Sequence, residues 1–280
     1  MNDKELKQLH NKILEIVEYF DKFCKDNGIT YYLMGGSALG AMRHKGFIPW
    51  DDDFDVFMDY ENYMRFLNIA DKKLDKNRFY FQKENTKEWL LYFSKIRMNG
   101  TTFIEENLKD KQMHHGIYID VMCLNGASSI KSIRYIQYLS ARILSAIALS
   151  HSSYKTNSLT KKIMLYLARY IDNDVVKSNL LRFVRYFNNK EHTLVGHFFG
   201  RASFDKTSFD KSYLGKPRYV KFEKLMLPVP SEVEKYLTLR YGKEYMKLPS
   251  DEVKAQYPSH ACIVDTQKSY KEYIVKEKNV

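Results

Sequence analysis

Met34-Gly35-Gly36-Ser37-Ala38-Leu39-Gly40-Ala41-Met42-Arg43-His44-Lys45-Gly46-Phe47-Ile48-Pro49-Trp50-Asp51-Asp52-Asp53-Phe54-Asp55-Val56 carries the reading of the fold. Upstream of it, the apolar and aromatic run at 29–34 has the character of a buried strand, and Gly35-Gly36-Ser37 ends that strand in a tight turn. Ser37 is expected to cap a short helix through Ala41 and Met42. Glycines between a strand and a helix let the backbone approach a phosphate and aim N–H groups at it from the helix N-terminus. Residues 53–58 then alternate polar and apolar, as a half-buried strand does. On such a strand Asp53 and Asp55 share a face, so their carboxylates converge. Like charges held that close repel unless a hard cation sits between them, and an all-oxygen site suits Mg²⁺. Asp120, flanked by Ile119 and Val121 in another expected strand, is placed to complete the site. Asp51 and Asp52 precede the alternation and follow Pro49-Trp50, so they read as capping or turn residues.

Working outward, residues 4–27 repeat Leu6, Leu9, Ile13, Ile16, Val17, Phe20 and Phe23 at helical spacing, with Gly28 as the natural stop. Asp59 opens another helix carrying Tyr63, Phe66, Leu67 and Ile69. Strands are expected near 79–81, 90–96, 102–104 and 117–122. That order of elements predicts a mixed α/β or α+β sheet. From 130 to about 190 the pattern turns helical, with turn signals at 151–158 and 172–174. A helix with Val233, Tyr236 and Leu237 follows Val229-Pro230-Ser231 and stops at Gly242. The expected organisation is a catalytic core at 1–128 that includes the N-terminal helix, a basic helical region at 129–200, and a C-terminal segment at 201–280 that returns to the site.

The chain has 280 residues, 44% of them hydrophobic and 28% charged, so it can bury a substantial core and is neither disordered nor fibrous in character. Cys24, Cys123 and Cys262 lie far apart with no CxxC pair, which fits a reducing compartment and gives no zinc or redox motif. No apolar run approaches a membrane span, and the polar first residues do not resemble a signal peptide, so a cytoplasmic protein is expected. The net charge is +11, and between 130 and 190 eleven Lys or Arg residues face only Asp172 and Asp174, a local +9. That balance predicts attraction to phosphates or an anionic surface.

The glycine turn, the Asp-x-Asp strand and the later third acid resemble the nucleotidyltransferase superfamily. The longer run Gly35 through Asp55 resembles the signature of the LicD family, the bacterial phosphocholine transferases related to fukutin. Lys95-Ile96-Arg97-Met98-Asn99-Gly100-Thr101, Gly116-Ile117-Tyr118-Ile119-Asp120-Val121 and Tyr241-Gly242-Lys243-Glu244-Tyr245-Met246-Lys247-Leu248-Pro249 resemble its later motifs, in order, so the likeness spans roughly 25–260. One departure is Met122-Cys123-Leu124-Asn125-Gly126, where the family often has Phe-Pro-Leu-Asp. The resemblance implies a nucleotidyltransferase-like core. It also implies that Asp53, Asp55 and Asp120 hold two Mg²⁺ ions, that Gly35, Gly36 and Ser37 seat the donor's phosphates, and that phosphocholine or another phospho-alcohol passes from a CDP-alcohol to a sugar hydroxyl. The acceptor implied is a cell-surface glycan, a lipid-linked glycan or a teichoic acid precursor, with Asp120 doubling as base.

Other candidates keep two readings each. Arg43, His44 and Lys45 are either phosphate ligands or a solvated loop. Trp50 is either a stacking surface for a base or a choline, or a plug under the loop. Lys95 and Arg97 alternate along an expected strand and either face the diphosphate or point to solvent. His114 and His115 read as loop residues, and His260 and the cysteines as structural. The basic helices are either solvated faces or a peripheral docking surface for an anionic membrane and its lipid-linked acceptor. Two rival functions are transfer of a nucleotide from an NTP, and a nucleic-acid-binding module. The second leaves the acids without a purpose, since they repel a phosphate backbone, and no nucleic-acid partner is expected.

Overall fold

The computed structural model describes residues 1–151, 158–254 and 259–277. Helix α1 (Asp3–Asp26) opens on a capping box between Asn2 and Glu5, and its Leu9, Ile13, Ile16, Val17 and Phe20 face inward. Gly28, at φ 61°, turns the chain out of the helix as expected. Strand β1 shrinks to Tyr32–Leu33, then come α2 (Gly35–His44), β2 (Asp55–Asp59) and α3 (Tyr60–Lys73). Asp59 caps α3 by accepting from the Asn62 N–H. Next are β3 (Phe79–Gln82), β4 (Ser94–Met98), β5 (Thr102–Glu105) and β6 (Tyr118–Ala127). The helical region holds α4 (Lys131–Ser150), α5 (Leu159–Tyr170) and α6 (Asp174–Val184). Beyond it lie β7 (Leu194–Gly196), β8 (Ser208–Asp210), β9 (Arg218–Phe222), β10 (Leu225–Val229), α7 (Val233–Tyr241), α8 (Asp251–Lys254), β11 (Ala261–Asp265) and α9 (Lys271–Glu277).

The fold is a mixed α/β one. A seven-stranded sheet runs β1-β2-β6-β4-β3, with β7 and β8 extending from β6. Strands β2 and β6 are parallel, and the other pairings are antiparallel. Strand β6 is central and buried almost throughout, which explains why its sequence is apolar apart from Asp120 and Asn125. Ribbons β9–β10 and β5–β11 flank the sheet, and the second brings 261–265 against 102–105.

Several expectations shift. Residues 90–93 form bends, so the strand starts at Ser94 and Tyr92 leaves it to stack on Phe199 at 4.8 Å. Strand β2 starts at Asp55, leaving Asp53 in the loop before it. Residue 194, read as helical country, begins a strand because 194–196 finds free backbone groups at the far end of β6. Most of the turn read at 151–158, with Lys155 inside it, lies outside the described residues.

Candidate active site

Sheet register builds the site. Asp55 of β2 stands opposite Asp120 of β6, and Asp120 stands opposite Lys95 of β4, so the three form one row across adjacent strands. The loop before β2 is clamped to β6, because the Asp120 N–H donates to the Phe54 carbonyl at 2.9 Å. Helix α2 begins at Gly35 with Met34 as its cap, one turn earlier than a Ser37 cap gives. Ser37, freed from capping, accepts from the Asp55 N–H at 2.8 Å and ties the helix to the head of the acidic strand.

The glycines are required by close approach. Gly35 sits at φ 61°, its N–H donates to the Tyr236 hydroxyl at 2.9 Å, and a Cβ there would lie 3.3 Å from Asp55 Oδ2. A Cβ on Gly36 would lie 2.7 Å from Asp51 Oδ2. The N-terminus of α2 therefore lies directly against the carboxylates. Gly36→Ala is expected to leave the melting temperature nearly unchanged, because the far end of Asp51 can move aside. It should cost at least about tenfold in turnover, because that movement disturbs the acids. Activity retained within twofold would show that Asp51 has no part in the site.

Asp51 joins Asp53, Asp55 and Asp120 in one acidic group, with Asp120 buried and the other three half-buried. Burial pushes the Asp51 carboxyl up to about 8, with repulsion from Asp53 and Asp52 adding to it. Burial also raises Asp53 and Asp120, and raises Asp55 well above the carboxylate range, where Asp53 and Asp120 add repulsion. Lys95 opposes this at Asp120. It is 2% exposed, its Nζ lies 2.8 Å from Asp120 Oδ1 and 3.9 Å from Glu105 Oε1, and it rests 3.3 Å over the Tyr118 ring. Of the two readings of Lys95 the inward one holds, and its partner is a carboxylate.

Asp52 is not a solvated turn residue. It accepts from the His260 N–H at 2.7 Å and from the Ser259 hydroxyl at 2.7 Å, and the His260 Nδ1 lies 2.6 Å from its other oxygen. Burial alone would raise Asp52, but these hydrogen bonds outweigh it and hold the carboxyl low. The hydrogen bond to Asp52 pushes His260 up to about 9. A base raised above its ordinary 6.5 stabilises the fold fully below that pH and loses the contribution as pH rises through about 9. Wild-type melting temperature should therefore fall between about pH 7 and 9.5 by more than that of His260→Gln. Parallel curves would remove the pair from the stability of the C-terminal segment.

Arg43 turns away from the acids. Its guanidinium donates to the carbonyls of Tyr245 at 3.0 Å and Lys247 at 3.2 Å, and its Nε donates to His44 Nε2 at 2.9 Å. These contacts anchor the 241–249 motif. Trp50 is half-buried against the core, with Lys254 5.1 Å and Arg43 6.0 Å from its ring. The plug reading of Trp50 is the one the packing bears out. Arg97 is fully buried and donates to Gln82 and to the Gly116 carbonyl.

Residues 28–121, which contain the whole of this row, match the family described as LicD/FKTN/FKRP, nucleotidyltransferase domain. The chain is 28% identical over 259 residues to the lipopolysaccharide cholinephosphotransferase LicD of Haemophilus influenzae, covering 88% of this chain and 92% of that one. The chain is similar to the LicD family, in the matched domain and along most of its length. Its likeness to mannosyltransferase regulator 4 of Saccharomyces cerevisiae is 24% over 150 residues, 12% of that protein. The likeness to a cholinephosphotransferase, over 88% of this chain, supports an enzyme of the transferase class.

The acids suit magnesium by donor type, since all are hard oxygens, held where desolvation and mutual repulsion disfavour the charged form. Asp120 Oδ1 is buried with the Lys95 ammonium 2.8 Å away as its partner, and Glu105 Oε1 is buried without a hydrogen bond from the described residues. Among the described residues, no group of three or more His, Cys, Asp or Glu side chains is drawn tightly enough together to hold a metal unaided.

Proposed function

We propose that this LicD-like enzyme transfers phosphocholine, or a related phospho-alcohol, from a CDP-alcohol to a sugar hydroxyl of a cell-surface glycan such as a lipopolysaccharide or teichoic acid precursor. The row of Asp55, Asp120 and Lys95 against the N-terminus of α2 carries the reading. Choline as the alcohol draws on the likeness to the Haemophilus influenzae cholinephosphotransferase. The cation-facing contacts of Trp50 are already made by Arg43 and Lys254, so the proposal does not lean on that ring.

Asp53, Asp55 and Asp120 are the residues that would hold Mg²⁺, which supplies charge neutralisation of the donor's diphosphate and polarises the phosphoryl oxygens. The N–H groups of Gly36 and Ser37 at the head of α2 orient that diphosphate, while Gly35 gives the close turn that sets them there. The acceptor hydroxyl attacks the phosphorus bearing the alcohol, its proton passes to a carboxylate, and CMP leaves. Asp120 is assigned that proton because it enters from its own strand. Lys95 keeps Asp120 aligned through the ion pair.

Purified protein with Mg²⁺ and a short glycan acceptor should consume CDP-choline in preference to CDP-ribitol and CDP-glycerol, releasing CMP in each productive case. Better use of a polyol donor would change the alcohol and leave the phosphotransfer reading intact. Incorporation of label from CTP with release of pyrophosphate would replace phosphotransfer by nucleotidyl transfer.

A further inference from the structure

Helix α5 has an unusual relation to the rest of the molecule. Ala168 is its one buried residue among those described, and it is held by Ala146 and Ile147 of α4 and by Arg169, which donates to the Ser150 carbonyl at 2.7 Å. Leu159, Ile163, Tyr166, Leu167 and Tyr170 recur at spacings of three and four, which places them on one stripe roughly opposite Ala168. That stripe is open to solvent, with Leu159 70%, Leu167 56% and Tyr170 72% exposed. Large contiguous apolar exposure on one helix marks an interaction surface.

We infer that α5 is an in-plane membrane-docking element whose apolar stripe enters the headgroup region of an anionic bilayer. Charge selects this occupant. Lys161 and Lys162 are exposed beside the stripe, the helix carries no acidic residue, and residues 130–190 hold eleven basic side chains against two acidic ones. A second copy of the chain would bring two such basic regions together, and their repulsion opposes that pairing. An anionic lipid surface satisfies the stripe and the charge at once. The helix has 12 residues, which at about 1.5 Å each give roughly 18 Å, well short of the about 30 Å of hydrocarbon that a span crosses. No described helix is long and apolar enough to cross. The helix therefore lies in the interface. The inference stands apart from phosphotransfer, since docking needs neither donor nor acceptor.

The test is flotation of the full chain, without substrates, with phosphatidylcholine vesicles and with vesicles containing about one third phosphatidylglycerol at low and high salt. Binding to the anionic vesicles, weakened but not abolished by salt, is expected. Ile163→Gln with Leu167→Gln, both at exposed positions, should lower binding at least about tenfold at either salt, because the apolar contribution is not screened. Lys161→Glu with Lys162→Glu should lower it comparably at low salt and much less at high salt. Circular dichroism melts checked against wild type ensure that folded variants are compared. Wild-type protein that stays unbound at low salt overturns the proposal, as does binding unchanged in Ile163→Gln with Leu167→Gln. A concentration-dependent dimer that this double variant dissolves assigns the face to a second copy and also overturns it. In each of these outcomes, CMP release from a soluble acceptor reports on the phosphotransfer reading separately.

Discussion

Asp55→Asn and Asp53→Asn should each lower CMP release by at least about a hundredfold, the size of losing a few kcal/mol of charge stabilisation at a transferring phosphoryl group. The effect on stability runs the other way. Asp55 and Asp53 sit among carboxylates whose charged forms burial and mutual repulsion disfavour, so a neutral side chain removes repulsion and should hold or raise the melting temperature in EDTA. Asp120→Asn should lose comparable activity but lower the melting temperature, because it takes the carboxylate from Lys95 and leaves a buried ammonium without that partner. Double replacements should be little worse than single ones, as the acids act together. Wild-type turnover should vanish in EDTA and return with Mg²⁺. Turnover that survives EDTA, or Asp55→Asn with activity within threefold of wild type, removes the carboxylates from the chemistry.

Asp53, Asp55 and Asp120 could be picked out because local spacing decided them. Alternation showed the half-buried strand, and an acid between Ile119 and Val121 is anomalous in so apolar a run. Asp51 and Asp52 were illegible because an acidic run after Pro49-Trp50 has the composition of a turn. What makes them buried is distant: the Asp51 carbonyl meets His10 of α1 at 2.7 Å, and Asp52 meets His260. No local signal pairs positions 208 residues apart. The contacts of Arg43 were out of reach for the same reason, since the carbonyls it binds lie more than 200 positions downstream.

The elements themselves were legible where the pattern was long. Helix α1 shows a full apolar face and a glycine stop, and β6 shows a continuous buried run. Short pieces were harder. Met34 makes no side-chain cap, so nothing in the sequence announces that α2 begins at Gly35 rather than after Ser37. Residues 90–93 carry strand-like Leu90, Leu91, Tyr92 and Phe93, yet Leu91 and Phe93 pack around Trp89 and Tyr92 joins the cluster around Phe198. Packing overrode propensity there. Sheet order was beyond reach too. The parallel β2–β6 pairing, which sets Asp55 opposite Asp120, spans a crossover through α3 and three other strands.

Lys95→Met should produce the largest loss of stability at the site. The Lys95 ammonium is almost wholly buried, sits over the Tyr118 ring and lies 5.2 Å and 5.4 Å from the rings of Trp89 and Phe93. It is also the cation within 4 Å of both Asp120 and Glu105. Methionine fills similar volume but removes the charge, leaving buried carboxylates without that counter-ion at a cost of about 3–5 kcal/mol. At about 2–4 °C per kcal/mol for a chain of this size, the melting temperature should fall by roughly 10 °C near neutral pH. Lowering the pH should narrow the gap, because protonating the carboxylates removes the charge that Lys95 balances. Lys95→Arg keeps the charge and should recover much of the loss, although a planar fork fits the aromatic surround less well. If Asp120 is a metal ligand, Mg²⁺ should raise the melting temperature of Lys95→Met more than that of wild type, since the ion then supplies the missing charge. Lys95→Met melting within about 2 °C of wild type at every pH would mean that Asp120 is held neutral in the folded protein, and that the row contains no ion pair.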